Sequence, residues 1–146
     1  MNAGRAVRWL FYLAGGALAL LIGAWFWAKS TYYPNEAVDR AQAFITLLEA
    51  DQLDKARELA LVNEYVGRTP EEFATLMPRQ LCRVDHVAWT APPQTNGNRL
   101  RRWWKGTEVE MPELDVEFEG TCLLKVSLRR GDDGQWYVFN LQRHAG

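Results

Sequence analysis

Cysteine and histidine are scarce in this chain of 146 residues, which holds two of each. Cys82 and Cys122 stand far apart, as do His86 and His144, so no CxxC or HxxxH spacing exists to build a metal site, and none is expected. The chain also lacks a glycine-rich phosphate loop and a G-x-S-x-G turn, which removes the usual local signs of nucleotide binding and serine hydrolysis. No catalytic residue and no cofactor is assigned. A basic excess is missing too, since the formal net charge is −1. Nucleic-acid partners, which need clustered cationic surface, are therefore not expected. Absence of an internal repeat excludes a solenoid.

Charge itself is absent from Trp9 to Ala28, a run of twenty residues (WLFYLAGGALALLIGAWFWA). At a rise of ~1.5 Å per residue such a helix spans about 30 Å, one crossing of a bilayer's hydrocarbon. Trp9, Phe11 and Tyr12 at one end and Trp25, Phe26 and Trp27 at the other match the aromatic belts of the two interfaces. Arg5 and Arg8 oppose Lys29 alone, and the bias of basic residues toward the cytoplasm orients the N-terminus inward. The competing reading is a cleaved signal peptide at Ala28-Lys29-Ser30, but the apolar core exceeds the ~7 to 15 residues of a signal h-region. Residues 1–30 are thus expected to form a cytoplasmic tip and transmembrane anchor. Residues 31–146 are expected to form one extracytoplasmic domain, periplasmic in a Gram-negative cell. Gly15, Ala19 and Gly23 recur every fourth position, a small-residue stripe of the kind that lets helices approach in lipid.

Beyond the anchor, fourteen bases face eighteen acids, and the size suits a single α+β domain. Asn35 is placed to cap a helix carrying Ala37, Val38, Ala41, Phe44, Ile45 and Leu48 at helical spacing. Asp51 is placed to cap a second, with Leu53, Ala56, Leu59 and Ala60. Thr69-Pro70-Glu71-Glu72 reads as a capping box opening a third, which Pro78 should close. The period then changes to two from near Leu81. Leu114, Val116, Phe118, Cys122, Leu124 and Val126 alternate with polar residues as one long strand, Arg130 to Gly134 supplies a turn, and Gln135 to Gln142 returns as its hairpin partner. Two or three helices packed on a curved antiparallel sheet are expected.

The run Ala41-x-x-Phe44-x-x-x-Leu48-x-x-Asp51-x-x-x-x-Ala56-x-x-Leu59, followed by sheet and closing on Gly134-Gln135-Trp136-Tyr137-Val138, resembles the cone-shaped nuclear transport factor 2-like superfamily over about residues 36–143. The resemblance implies a long helix laid across a strongly curved sheet with a pocket at the open end. It also implies a range of roles: isomerases and dehydratases, ligand carriers, and membrane-anchored periplasmic scaffold subunits of type IV secretion systems. The last share this chain's layout.

Asp85 and His86 are the one adjacent acid and imidazole, but consecutive strand residues point to opposite faces and cannot act as a pair. His86, sharing parity with Cys82 and Val84, is expected inward as a hydrogen-bonded sheet residue. Asp115, Glu117 and Glu119 read as a solvated strand face. The densest basic and aromatic cluster, Arg99 to Lys105, reads as a strand with Leu100 and Trp104 inward. Arg99, Arg101, Trp103 and Lys105 then face outward as a partner or lipid surface, or pair with the acidic strand. Cys82 and Cys122 fall at core-facing parity, either as a disulfide or as two buried thiols.

The function these features favour is a non-enzymatic, membrane-anchored extracytoplasmic module that binds a protein partner or a second copy of itself, as a subunit of an envelope or secretion assembly. The alternative is a small-ligand-binding or enzymatic cone. If the stripe on the anchor is a contact face, Gly15→Leu and Gly23→Leu should each weaken association in a membrane two-hybrid assay, and Gly16→Leu should do so less. Equal effects from all three, or none, leave the helix a plain tether.

Overall fold

The uncharged N-terminal run forms one uninterrupted helix, α1 (Ala3–Lys29), in a computed structural model that describes residues 3–144, with side chains from Val7 onward. The Arg5 side chain and the terminal positions 1, 2, 145 and 146 lie outside the described residues. The rest of the chain is α+β: β1 (Thr31–Tyr32), α2 (Asn35–Glu49), α3 (Leu53–Glu58), α4 (Pro70–Gln80), β2 (Val84–Ala91), β3 (Gln94–Thr95), α5 (Asn96–Trp104), β4 (Glu113–Gly120), β5 (Leu123–Arg130) and β6 (Trp136–His144). Two units result. The chain up to Tyr32 clusters with Gln94–Glu110, and Tyr33–Pro93 clusters with the chain from Met111 onward. Residues 94–110 therefore leave the α+β body and belong with α1.

In the body, α2 buries the six apolar residues of its expected face. They meet Val116, Phe118, Leu124, Val126, Leu128, Val138 and Leu141 of the sheet, all buried in the same core cluster. Phe44 and Phe73 pack edge to face with centroids 6.2 Å apart, which joins α4 to this core. Two expected caps are not made. Pro34 occupies the N-cap of α2 without a side-chain bond, and Asn35 is already helical. Asp51 adopts φ 55° and finishes α2 instead of starting α3, while the following Gln52 amide donates back to the Leu47 carbonyl at 2.9 Å.

The third expected cap forms, since Thr69 Oγ1 accepts from the Glu72 amide at 3.2 Å and Glu72 Oε2 accepts from the Arg68 amide at 2.7 Å. Gly67, at φ 107°, permits this entry, because a Cβ there would lie 2.5 Å from the Phe73 amide nitrogen. Pro78 does not end α4, which runs on to Gln80. Near a C-terminus a proline forfeits one helical bond, here to the carbonyl of Ala74, an exposed residue that water can satisfy.

The main sheet is an antiparallel meander in the order β2-β4-β5-β6. The single long strand expected from Leu114 to Val126 is instead the hairpin β4-β5. Its register pairs Val116 with Val126 and Phe118 with Leu124, so even positions meet even positions and the alternation passes through the turn unbroken. Between β5 and β6 the register shifts at Ser127/Leu128, which lets both Val138 and Leu141 face the core although they are three apart. Leu59 and Ala60, expected as helix, run with Leu61 alongside β6: the Val138 amide donates to the Leu59 carbonyl at 2.9 Å and the Leu61 amide to the Val138 carbonyl at 2.8 Å. Asn63 fastens the same segment by donating to the Phe139 carbonyl at 2.9 Å.

The β5-β6 turn holds Asp133, whose Oδ2 accepts from the Tyr137 hydroxyl at 2.7 Å and whose Oδ1 accepts from the Gln135 amide at 3.0 Å. The Tyr137 bond first, then the Gln135 amide, holds the Asp133 carboxyl below its ordinary 3.8. The carboxylate in turn raises the Tyr137 phenol above its ordinary 10.0. A depressed acid contributes stability above its unfolded pKa and loses it as pH falls through the folded value. A raised phenol contributes below its unfolded pKa and loses it as pH rises through the folded value. Tyr137→Phe should therefore lower Tm most between roughly pH 4 and pH 10, with the gap to wild type closing at both extremes. A gap that is equally large at about pH 2 would show that this bond does not cause it.

Candidate functional site

Ser30 ends the apolar helix and begins a small, densely bonded junction. Its carbonyl accepts from the Asn96 amide at 3.1 Å, and its hydroxyl accepts from Asn96 Nδ2 at 2.8 Å while donating to the Trp27 carbonyl at 2.7 Å. The Ser30 carbonyl at the end of α1 is thereby satisfied from a residue distant in sequence, and the Trp27 carbonyl from the Ser30 hydroxyl. The two-stranded ladder Thr31↔Thr95 and Tyr32↔Gln94 continues the tie. Gly97 then passes so close to α1 that a Cβ would meet the Ala28 carbonyl at 2.9 Å and the Ala28 Cβ at 3.3 Å, which glycine alone avoids.

From this junction the basic and aromatic cluster runs as helix α5, and the expected strand is corrected. Thr95 Oγ1 accepts from the Asn98 amide at 3.2 Å and starts the helix. Leu100 and Trp104 fit both readings, because residues four apart share a strand face and also a helix face. The cap decides between them. Consequently neither residue is inward: Leu100 is 48% exposed and Trp104 81%. The pairing of Arg99, Arg101 and Lys105 with the acidic strand does not occur. β4 lies between β2 and β5, where Arg129 and Lys125 pair with Glu113 and Asp115, His86 pairs with Glu119 and Trp89 Nε1 donates to Glu117.

Of the four residues expected on an outward surface, Arg99 turns inward. Its guanidinium stacks 3.6 Å from the centroid of the Tyr32 ring and forms an ion pair with Glu110, both partners being largely shielded. Arg102 likewise donates to the carbonyls of Glu108 and Glu110. These two arginines hold the chain that returns from α5. Arg101, Trp103 and Lys105 remain exposed, with the rings of Trp103 and Trp104 meeting edge to face, centroids 6.5 Å apart. The junction residues Asn96 and Gly97 and the exposed Leu100 and Trp104 were not expected here. Thr95 ahead of Asn98 was the signal available for them.

Gly15, Ala19 and Gly23 lie exposed on α1, and a Cβ added at Gly15 or Gly23 would meet nothing within 4 Å, as is also true at Gly16. His86 is exposed and not inward, because register shifts at Val84/His86 and Val87/Trp89 break the parity on which the inward reading rested. In the body a cleft of about 260 Å³ opens beside it, lined by Gln42, Thr46, Glu49, Asp85 and Phe118 among others. A second cleft of about 390 Å³ lies along Glu36, Asp39, Arg40 and Trp136. Among the described residues no three metal-ligating side chains converge. Comparison with protein-family models, with curated proteins and with solved structures gives no match.

The sulfurs of Cys82 and Cys122 are joined, with Cα atoms 6.3 Å apart. Cys82 precedes β2 and Cys122 lies in the β4-β5 turn, so the bond links the start of the edge strand to the hairpin beside it. Across a separation of 40 residues the chain-entropy account gives it about 4 kcal/mol. Protein purified without reductant and denatured should show no reactive thiol, and two per chain would rule the bond out.

Proposed function

We propose that this chain is a single-pass membrane protein whose N-terminus is cytoplasmic and whose α+β body, outside the cytoplasm, binds a protein partner without catalysing a reaction. The observation that carries the reading is the surface of α1. Val7–Lys29 is long and apolar enough to cross a bilayer, and none of its side chains is buried by the rest of the protein. Leu10, Phe11, Leu13, Leu20, Leu21 and Phe26 are each at least 65% exposed. Each such side chain forgoes roughly 1.5–3 kcal/mol if left in water, so this helix requires an apolar surrounding, and lipid supplies it around its whole circumference. A fully bonded helix also leaves no backbone group unsatisfied in hydrocarbon.

The extracytoplasmic placement draws on Arg5 and Arg8, which outnumber Lys29 across the uncharged run, and on the paired cysteines, which persist in oxidising compartments. A binding role is favoured over a ligand pocket by the filling of the space between α2 and the sheet. Phe44, Val116, Leu124, Val126 and Val138 are completely buried there. The clefts of the body lie at its surface. We carry the family resemblance on the long helix set against an antiparallel sheet, and with it the role of a scaffold subunit over that of an enzyme.

A reporter active only outside the cytoplasm, fused after Gly146, should give signal, whereas activity only from a cytoplasmic reporter would overturn the orientation. The partner reading is checked by crosslinking the full-length protein in intact membranes before mild detergent extraction. A discrete crosslinked species is expected, and a purely monomeric, uncrosslinked chain would sink it.

A further inference from the structure

The geometry points to α5 as an interfacial helix that seats on anionic phospholipid in the leaflet from which α1 emerges. This rests on the membrane-spanning reading of α1. The placement follows from the junction: Gly97 lies against Ala28, and Asn96 bonds Ser30 and the Trp27 carbonyl, so α5 begins where the uncharged run ends. That level is the headgroup region if Trp25 and Trp27 mark the interface. A helix held there cannot avoid the bilayer surface, and its composition is the one such a surface selects.

Leu100, Trp103 and Trp104 fall within about 100° of arc at 100° per residue, a continuous apolar strip. Arg101 and Lys105 flank that strip on one side, both exposed. The opposite side carries Arg99 and Arg102, whose guanidinium groups are spent on Tyr32, Glu110 and the returning backbone. The side chains left outward are therefore the apolar strip, two cations and Asn98, with no acid among them. An exposed strip topped by a tryptophan 81% accessible is costly in water. In the headgroup layer the indoles gain their preferred environment, and Arg101 and Lys105 reach lipid phosphate by extending along their apolar stems. Charge complementarity selects anionic lipid over a zwitterionic one, since each cation near such a surface shifts the equilibrium about fivefold.

The full-length protein is placed in nanodiscs of brominated phosphatidylcholine, with and without added phosphatidylglycerol, and tryptophan emission is compared with that of the Trp103→Phe, Trp104→Phe double variant. The wild-type minus variant difference reports the two α5 indoles alone. Those indoles should be quenched strongly when phosphatidylglycerol is present and weakly without it. Arg101→Gln with Lys105→Gln should weaken seating about 25-fold and remove the difference between the two bilayers. All four positions are exposed, so these variants leave the packing intact. Indoles unquenched in both bilayers overturn the proposal and return this face to a protein partner, and equal quenching in both overturns the selection of anionic lipid. Trp9, Trp25 and Trp27 remain in the double variant as an internal check: their quenching upholds the span even when α5 fails, and its absence defeats both readings.

Discussion

Burial of one face of α2 against the sheet is the constraint on which the α+β body depends. Ala37, Val38, Ala41, Phe44, Ile45 and Leu48 have no other apolar surface to meet, and β4, β5 and β6 each contribute alternate residues to them. Phe73 and Met77 of α4 complete the same core, so the short helices and their unusual caps are arranged around this contact. The segment from Leu59 to Leu61 shows how far the arrangement extends. Its residues give up helix to bond β6, which shields part of an edge that would otherwise invite pairing with another chain.

The opposite face of the sheet is polar and nearly self-neutralising. Glu113, Asp115 and Glu119 each find a cation or imidazole on a neighbouring strand, while Glu117 accepts from Trp89, and Asp115 also accepts from the Ser127 hydroxyl at 2.6 Å. Pairs exposed to this degree contribute about 0 to 1 kcal/mol each, so their main effect is on register. A slip of one residue between β4 and β5 would set Glu117 and Asp115 against apolar partners and expose Phe118 and Leu124.

Much of this was legible where a side chain had one physical option. The α2 face, the Thr69 capping box and the turn at Arg130 to Gly134 all follow from residues whose spacing admits one structure. Three misreadings share a cause, which is that a short pattern admitted two. Even parity from Leu114 to Val126 suits a strand or a hairpin with an even register sum. Leu100 and Trp104 suit a strand or a helix. Asp51 can start a helix or, in the left-handed region, end one. The inward placing of His86 failed for another reason, since strand bulges are set by packing across the sheet and leave no mark in local periodicity. Nothing in the local pattern of residues 94–110 announced that they would join α1, because that depends on Gly97 meeting Ala28 across the fold.

The two units meet the cost of exposed apolar surface in opposite ways. In the body, most large apolar side chains of α2 and the sheet are withdrawn into the core, and Trp136 keeps only 6% of its surface. In the unit built on α1, the large apolar side chains point outward, and what is partly withdrawn is polar: Asn96 and Arg99 find partners inside the junction. A unit with polar groups inward and apolar groups outward is inverted with respect to water. The same inversion continues from α1 into α5, where Arg99 and Arg102 face the returning chain while Trp103 and Trp104 face away from it. The continuity of the pattern across Gly97 and Ala28 is the observation on which the proposed lipid-facing role of α1 and α5 rests.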